Sequence, residues 1–161
     1  MRNKQLTIPY EEYSSDNELP AEDALLLTKA REATVNAYAP YSQFHVGAAA
    51  RLNNGQILTG TNQENASYPA GICAERVLLS TAASLFPGVA IRTIAISYRN
   101  KQGPTDRPIS PCGICRQSLK EFETRTQQPI RLILGGHTGP VYAIPDAGSL
   151  LPLAFVGDDL V

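Results

Sequence analysis

Leu26, Ala30, Ala33 and Ala37 recur at helical spacing behind Pro20 and give one narrow face of mostly small side chains. Pro20 suits the first position of that helix, Glu22 and Asp23 suit its N-terminal dipole, and Pro40 stops it. Phe44 to Leu52 alternates and predicts a strand. Asn54-Gly55 predicts a hairpin turn, and Gln56 to Thr61 the return strand. Ile72 to Leu85 is apolar and helix-compatible, closed by Pro87-Gly88. Ile91 to Tyr98 carries apolar residues at most positions, as a central strand does. After a polar loop from Arg99 to Ser110, Pro111 opens a helix running to about Thr126. Strands follow at Ile130 to Leu134 and Val141 to Ile144, then a helical turn near Ser149. A short strand at Gln5 to Ile8 is expected in an otherwise polar first twenty residues.

Strands and helices in this order make an α/β layout with a mixed sheet. At 161 residues, with no composition break, the chain reads as an arm over residues 1–20 and one domain over 21–161. With 14 basic and 15 acidic residues the net charge is -1, so the basic excess that phosphate-binding proteins carry is missing. No window approaches the ~20 apolar residues of a membrane span, and the N-terminus lacks the apolar core of a secretory signal. These features predict a cytoplasmic protein with neither a nucleic-acid nor a membrane partner. Asn65-Ala66-Ser67 matches a glycosylation sequon, an accidental match without secretion.

The three cysteines, an odd number, argue for reduced thiols. All three fall in two short motifs at predicted helix starts, Cys73-Ala74-Glu75-Arg76 and Pro111-Cys112-Gly113-Ile114-Cys115-Arg116. Cys112 and Cys115 are three apart, so on a first helical turn their sulfurs converge, and the helix dipole favours thiolate. Cys73 completes three protein ligands, which with one water is the pattern of catalytic zinc. A closed structural site would need a fourth ligand. The histidines are His45 and His137, and His45 points away from the face of Phe44 on an alternating strand. Glu75, two residues past Cys73, is placed to take and redeliver the proton of a zinc-bound water. A His or Cys, then x-Glu, then Pro-Cys-x-x-Cys is the zinc-deaminase signature. A site of three thiolates and one Zn2+ carries net charge -1, which a guanidinium from Arg76 would counter by donating to the sulfurs.

From about Ala37 to Leu160 the chain resembles the small, homotetrameric cytidine deaminases. The stretches that carry the resemblance are Ala39-Pro40-Tyr41-Ser42, Phe44-His45-Val46-Gly47-Ala48-Ala49, Asn62-Gln63-Glu64-Asn65-Ala66-Ser67-Tyr68, both cysteine motifs, and Leu151-Pro152 ahead of Phe155. The resemblance implies a three-layer α/β/α fold with a five-stranded mixed sheet, one zinc per subunit, and pyrimidine nucleosides as substrates. It implies that Cys73, Cys112 and Cys115 hold zinc, that Glu75 shuttles protons, and that Phe44 packs on the nucleoside. It further implies that Asn62 and Glu64 bind the ribose 3′-hydroxyl, and that Ala74 joins the substrate site. Asn62 and Glu64 share a face at a strand end, where an amide and a carboxylate can pair with a hydroxyl. The run Leu151-Pro152-Leu153-Ala154-Phe155 would be unusual on a monomer's surface. In the resembling family an aromatic at this place stacks on the pyrimidine of a neighbouring subunit, near Tyr68, which implies shared sites in a homotetramer.

The leading expectation is hydrolytic deamination of cytidine and deoxycytidine, releasing ammonia, in pyrimidine salvage. Two alternatives use the same metal site. A nucleic-acid editing deaminase is disfavoured by the charge balance and by an Asn-x-Glu pair suited to a free sugar. A nucleoside-antibiotic deaminase is not expected to keep that pair. A structural zinc protein would require losing Glu75 or gaining a fourth ligand. The arm has no assigned role.

Overall fold

A computed structural model describes residues 1–160. The chain forms β1 (Glu11–Tyr13), α1 (Ala21–Ala33), β2 (Phe44–Leu52), β3 (Ile57–Thr61), α2 (Ala74–Leu85), β4 (Ile91–Asn100), α3 (Gly113–Thr126), β5 (Arg131–Gly135) and β6 (Val141–Ile144). The sheet order is β1-β6-β5-β4-β2-β3. Among the described strands only β4 and β5 pair in parallel, as strands joined by a helical crossover must, and α3 is that crossover.

Strand parity divides the core. Ala48, Ala50, Ile94, Ile96, Leu132 and Leu134 point to one face and pack with Leu78 of α2 and Leu119 of α3. Their neighbours Ala49, Ala95, Ile133 and Ala143 point to the other face and pack with Leu26, Leu27 and Ala30 of α1. The alternation thus yields three layers, α1 on one side of the sheet and α2 with α3 on the other. Two glycines allow the helices to seat closely. A Cβ at Gly47 would lie 2.1 Å from the Ala30 carbonyl oxygen. One at Gly60 would lie 2.6 Å from both the Ala74 carbonyl oxygen and the Leu78 amide nitrogen, so β3 fixes the start of α2.

The sheet has six strands and not five. The additional strand comes from the arm, at Glu11–Tyr13 and not at Gln5 to Ile8. Leu6 and Ile8 alternate without a surface to bury them and stay exposed. Three residues later the chain finds partners. The Tyr10 ring meets Tyr142 at 4.9 Å, Glu11 and Asp23 share the Arg131 guanidinium, and Asp16 pairs with Arg31. Leu19 is buried in the α1-side core, with Tyr13 packed against it.

Helix boundaries also differ from the sequence expectation. Pro20 caps α1 from outside, and the helix yields at Ala33 to a 3-10 turn over Thr34–Asn36, where the Thr34 hydroxyl donates to the Arg31 carbonyl. α2 begins at Ala74 and not at Ile72, because Ile72 pairs its backbone with Gln63. α3 begins at Gly113, behind Pro111 and Cys112.

Glu123 of α3 is a buried carboxyl on the same side of the sheet, accepting from the Ile130 N–H at 2.8 Å. Burial, followed by the neighbouring Asp146 charge, pushes it up from 4.5 to about 7. The folded state therefore holds this proton more tightly than the unfolded chain, and stability falls as pH rises between those two values. Thermal unfolding from pH 4.5 to 7 should show that loss. Glu123→Gln, which keeps the acceptor but cannot ionise, should flatten that part of the curve. A variant with the parent's slope would assign the loss to other groups.

Candidate metal centre and its surroundings

The two cysteine motifs meet because each delivers its first cysteine as a helix N-cap. Cys73 caps α2, Cys112 caps α3, and Cys115 lies in the first turn of α3. Sγ of Cys73 lies 3.7 Å from Sγ of Cys112, which lies 3.4 Å from Sγ of Cys115. All three sulfurs fall within 4.8 Å of one another. Tetrahedral Zn–S bonds of about 2.3 Å would space sulfurs by about 3.8 Å, so the triad fits zinc. Cys115 is buried, Cys73 half-buried and Cys112 exposed, leaving the triad open on one side. Neither histidine joins it. His45 Nδ1 lies 3.0 Å from the Gln43 carbonyl oxygen, and His137 follows β5.

Charge within the triad is already uneven. Hydrogen bonding to Cys115, aided by Cys112 and the Arg76 charge, brings Cys73 down to about 6. Cys115 moves the other way, held up by the same bond, by burial and by the Glu75 charge. A divalent cation would reverse this for Cys115, since thiolates and not thiols are its ligands.

Glu75, in the first turn of α2, is 5% exposed. Burial raises its pKa, opposed by its own backbone N–H and by Cys115. A carboxyl lifted in this way, beside the cysteine sulfurs, is suited to accept a proton and give it back. Ala74 is fully buried and its carbonyl rests on Gly60, so its methyl group faces the core. Arg76 is half-buried and lines a groove between α2 and α3 with Ser80, Ser118 and Glu121. Its charge reaches Cys73, but among the described residues it makes no hydrogen bond to a sulfur.

The remaining expected site residues come from the strand ends beside the triad. Phe44 shares the α2 side of the sheet with Val46 and Ala48, its ring stacked on Tyr98 at 4.9 Å and 20°. The side chain of Asn62 is bonded to β2. Its Oδ1 accepts from the Val46 N–H at 2.7 Å, and its Nδ2 donates to the Phe44 carbonyl at 2.9 Å. Glu64 Oε2 accepts from the backbone N–H groups of Tyr41 and Ser42 at 2.9 and 3.3 Å. The Ser42 hydrogen bond, with those two amides, holds Glu64 below the usual carboxylate range. Tyr68 stands 81% exposed on the loop before Cys73, edge-on to Tyr41 at 6.5 Å.

Phe155 is also exposed, and no local pattern connects its segment with α3. Two residues make that connection. Arg116 Nε donates to the Pro111 carbonyl at 2.8 Å and its Nη1 to the Leu150 carbonyl at 3.2 Å, while Gln117 Nε2 donates to the Phe155 carbonyl at 2.9 Å. Arg116 thus ties the Cys112 turn to the C-terminal segment. Its only sequence signal was its place directly after Cys115.

Comparison with known proteins agrees with this geometry. Residues 20–128 match the family described as the cytidine and deoxycytidylate deaminase zinc-binding region. The chain is similar to a cytidine deaminase of Halalkalibacterium halodurans, 38% identical over 84% of this chain and 96% of that protein. It is similar to one of Mycobacterium tuberculosis at 36%, covering 84% and 91%. The crystal structure of a cytidine deaminase from Burkholderia pseudomallei superposes with a TM-score of 0.71 at 37% identity, covering 85% of this chain and 100% of that one.

Proposed function

The chain belongs to the cytidine and deoxycytidylate deaminase family, and we propose from that premise that it hydrolyses cytidine and 2′-deoxycytidine to the corresponding uridines, releasing ammonia. The observation that carries this reading is the open three-sulfur triad with the buried carboxyl of Glu75 beside it. Cys73, Cys112 and Cys115 would hold one zinc per chain, which supplies the Lewis acidity that activates a water at neutral pH. Glu75 takes a proton from the attacking water as its oxygen bonds to C4 of the cytosine. It returns that proton to N3, then carries a second from the new C4 hydroxyl to the amino group, which leaves as ammonia as the C4–N bond breaks and the C4 carbonyl forms.

Phe44, held flat on Tyr98, offers a face to the nucleoside, while Asn62 and Glu64 line the side where the ribose 3′-hydroxyl would lie. Arg76 would neutralise part of the thiolate charge. The direct test is ammonia release from cytidine, deoxycytidine, adenosine and a cytosine-containing oligonucleotide. Turnover of the nucleosides is expected; turnover of the oligonucleotide alone would favour the editing alternative. We place the enzyme in the cytoplasm, in pyrimidine salvage. No helix among the described residues is long and apolar enough to cross a membrane.

The site is completed by a second subunit in this reading, and the enzyme is a homotetramer. Leu153 is 93% exposed and Phe155 58%, an apolar pair that a neighbouring chain would cover. Tyr68 stands exposed on the loop before Cys73, where such a neighbour would arrive. Stacking of Phe155 on the pyrimidine would contribute on the order of 1 kcal/mol beyond burial. Glu75→Ala and Phe155→Ala chains should each be weak alone and recover activity when co-assembled. Mixed oligomers without recovery would remove the shared site.

A further inference from the structure

Residues 62–64 touch both halves of the site at once. On one side the Gln63 backbone exchanges two hydrogen bonds with Ile72, at 2.9 and 3.0 Å, directly ahead of Cys73. On the other, the Tyr38 N–H donates to the Asn62 carbonyl at 3.0 Å and the Glu64 N–H to the Tyr38 carbonyl at 2.8 Å. The side chains continue this second attachment. Asn62 extends the pairing of β2 through Phe44 and Val46, and Glu64 holds the turn at Tyr41 and Ser42. That turn needs holding. Gln43 follows it at φ 56, in the left-handed region that non-glycine residues seldom adopt. The Ser42 hydroxyl then accepts from the Phe44 N–H at 3.0 Å.

We propose that Glu64 is a positioning residue, whose carboxylate pins the Tyr41–Ser42 turn and thereby fixes Phe44 at its distance from the cysteine triad, in addition to any contact with the ribose. This rests on the deaminase reading for its consequence on turnover but not for the clasp itself. One carboxylate oxygen is committed to the two backbone N–H groups, and its partner oxygen remains for a sugar hydroxyl. A hydroxyl contact alone predicts that Glu64 matters only to substrates with a 3′-hydroxyl. The clasp predicts that it matters to every substrate resting on Phe44.

The experiment compares Glu64→Ala, Glu64→Gln and the parent on 2′-deoxycytidine and on 2′,3′-dideoxycytidine, which lacks the hydroxyl. In parallel, hydrogen exchange is followed in the peptides spanning 38–46 and 72–75, with zinc content measured on each protein. Glu64→Ala should lose about tenfold or more in kcat/KM on the dideoxy nucleoside as well, the scale of a charge-assisted hydrogen bond. Glu64→Gln should regain most of that loss, because its amide oxygen still accepts from Tyr41 and Ser42. Exchange at 38–46 should rise in the alanine variant and return near the parent's in the glutamine variant. Parent-like dideoxy turnover in Glu64→Ala, or unchanged exchange at 38–46, overturns the clasp. A parent inactive on every nucleoside overturns the deaminase reading, and the exchange measurement still decides the clasp.

Discussion

Glu75→Gln should bind zinc and unfold at nearly the parent's temperature, yet lose about a hundredfold to ten-thousandfold in kcat, the range assigned to one positioned proton carrier. The substitution is nearly isosteric, and burial has already lifted the parent carboxyl. Among the described residues Glu75 makes no ion pair, so an amide of the same shape leaves little for the fold to lose. What disappears is the capacity to carry one proton from water to N3 and a second to the departing amino group. Ammonia release, zinc content and a melting curve on the same preparation separate these effects. A variant within about tenfold of the parent would mean that another group moves the proton.

Replacing Cys73, Cys112 or Cys115 by alanine should remove most of the zinc and the activity together. The three sulfurs sit on the starts of two helices, so a cation joining them also joins α2 to α3. Binding to the folded state alone at a thousandfold excess over Kd is worth about 4 kcal/mol. A chelator should thus lower the melting temperature of the parent, and zinc should restore it. The alanine variants should melt near the chelated parent whether or not zinc is added. A cysteine variant retaining one zinc per chain and parent-like turnover would show that the metal is held elsewhere.

What the sequence made legible was local or periodic. The cysteine triad could be seen because its members lie at the starts of two helices, with two of them three residues apart. The two faces of the sheet follow from alternation in Phe44 to Leu52 and Ile91 to Tyr98. What escaped depended on partners distant along the chain. β1 exists because Tyr10 meets Tyr142 and Glu11 meets Arg131, neither of which any local pattern reveals. Ile72 looks helical in isolation, but Gln63 claims its backbone, which leaves Cys73 free to cap. Asn62 and Glu64 were legible as a pair sharing a face. That both are bonded to the backbone at Tyr41 to Val46 was not, because the bonds span about twenty residues of chain.

The docked arm has a practical consequence for handling the protein. β1 lies three strands from β4, a separation of roughly 14 Å at the usual strand spacing. A purification handle placed ahead of Met1 would extend from the exposed residues that precede β1. The same handle placed after the chain would follow Gly157–Leu160, directly behind the segment that Gln117 and Arg116 fasten to α3. There a polyhistidine would bring competing imidazoles toward a three-thiol metal site and crowd Phe155. Metal stoichiometry and subunit mixing are therefore best measured on protein purified through its N-terminus.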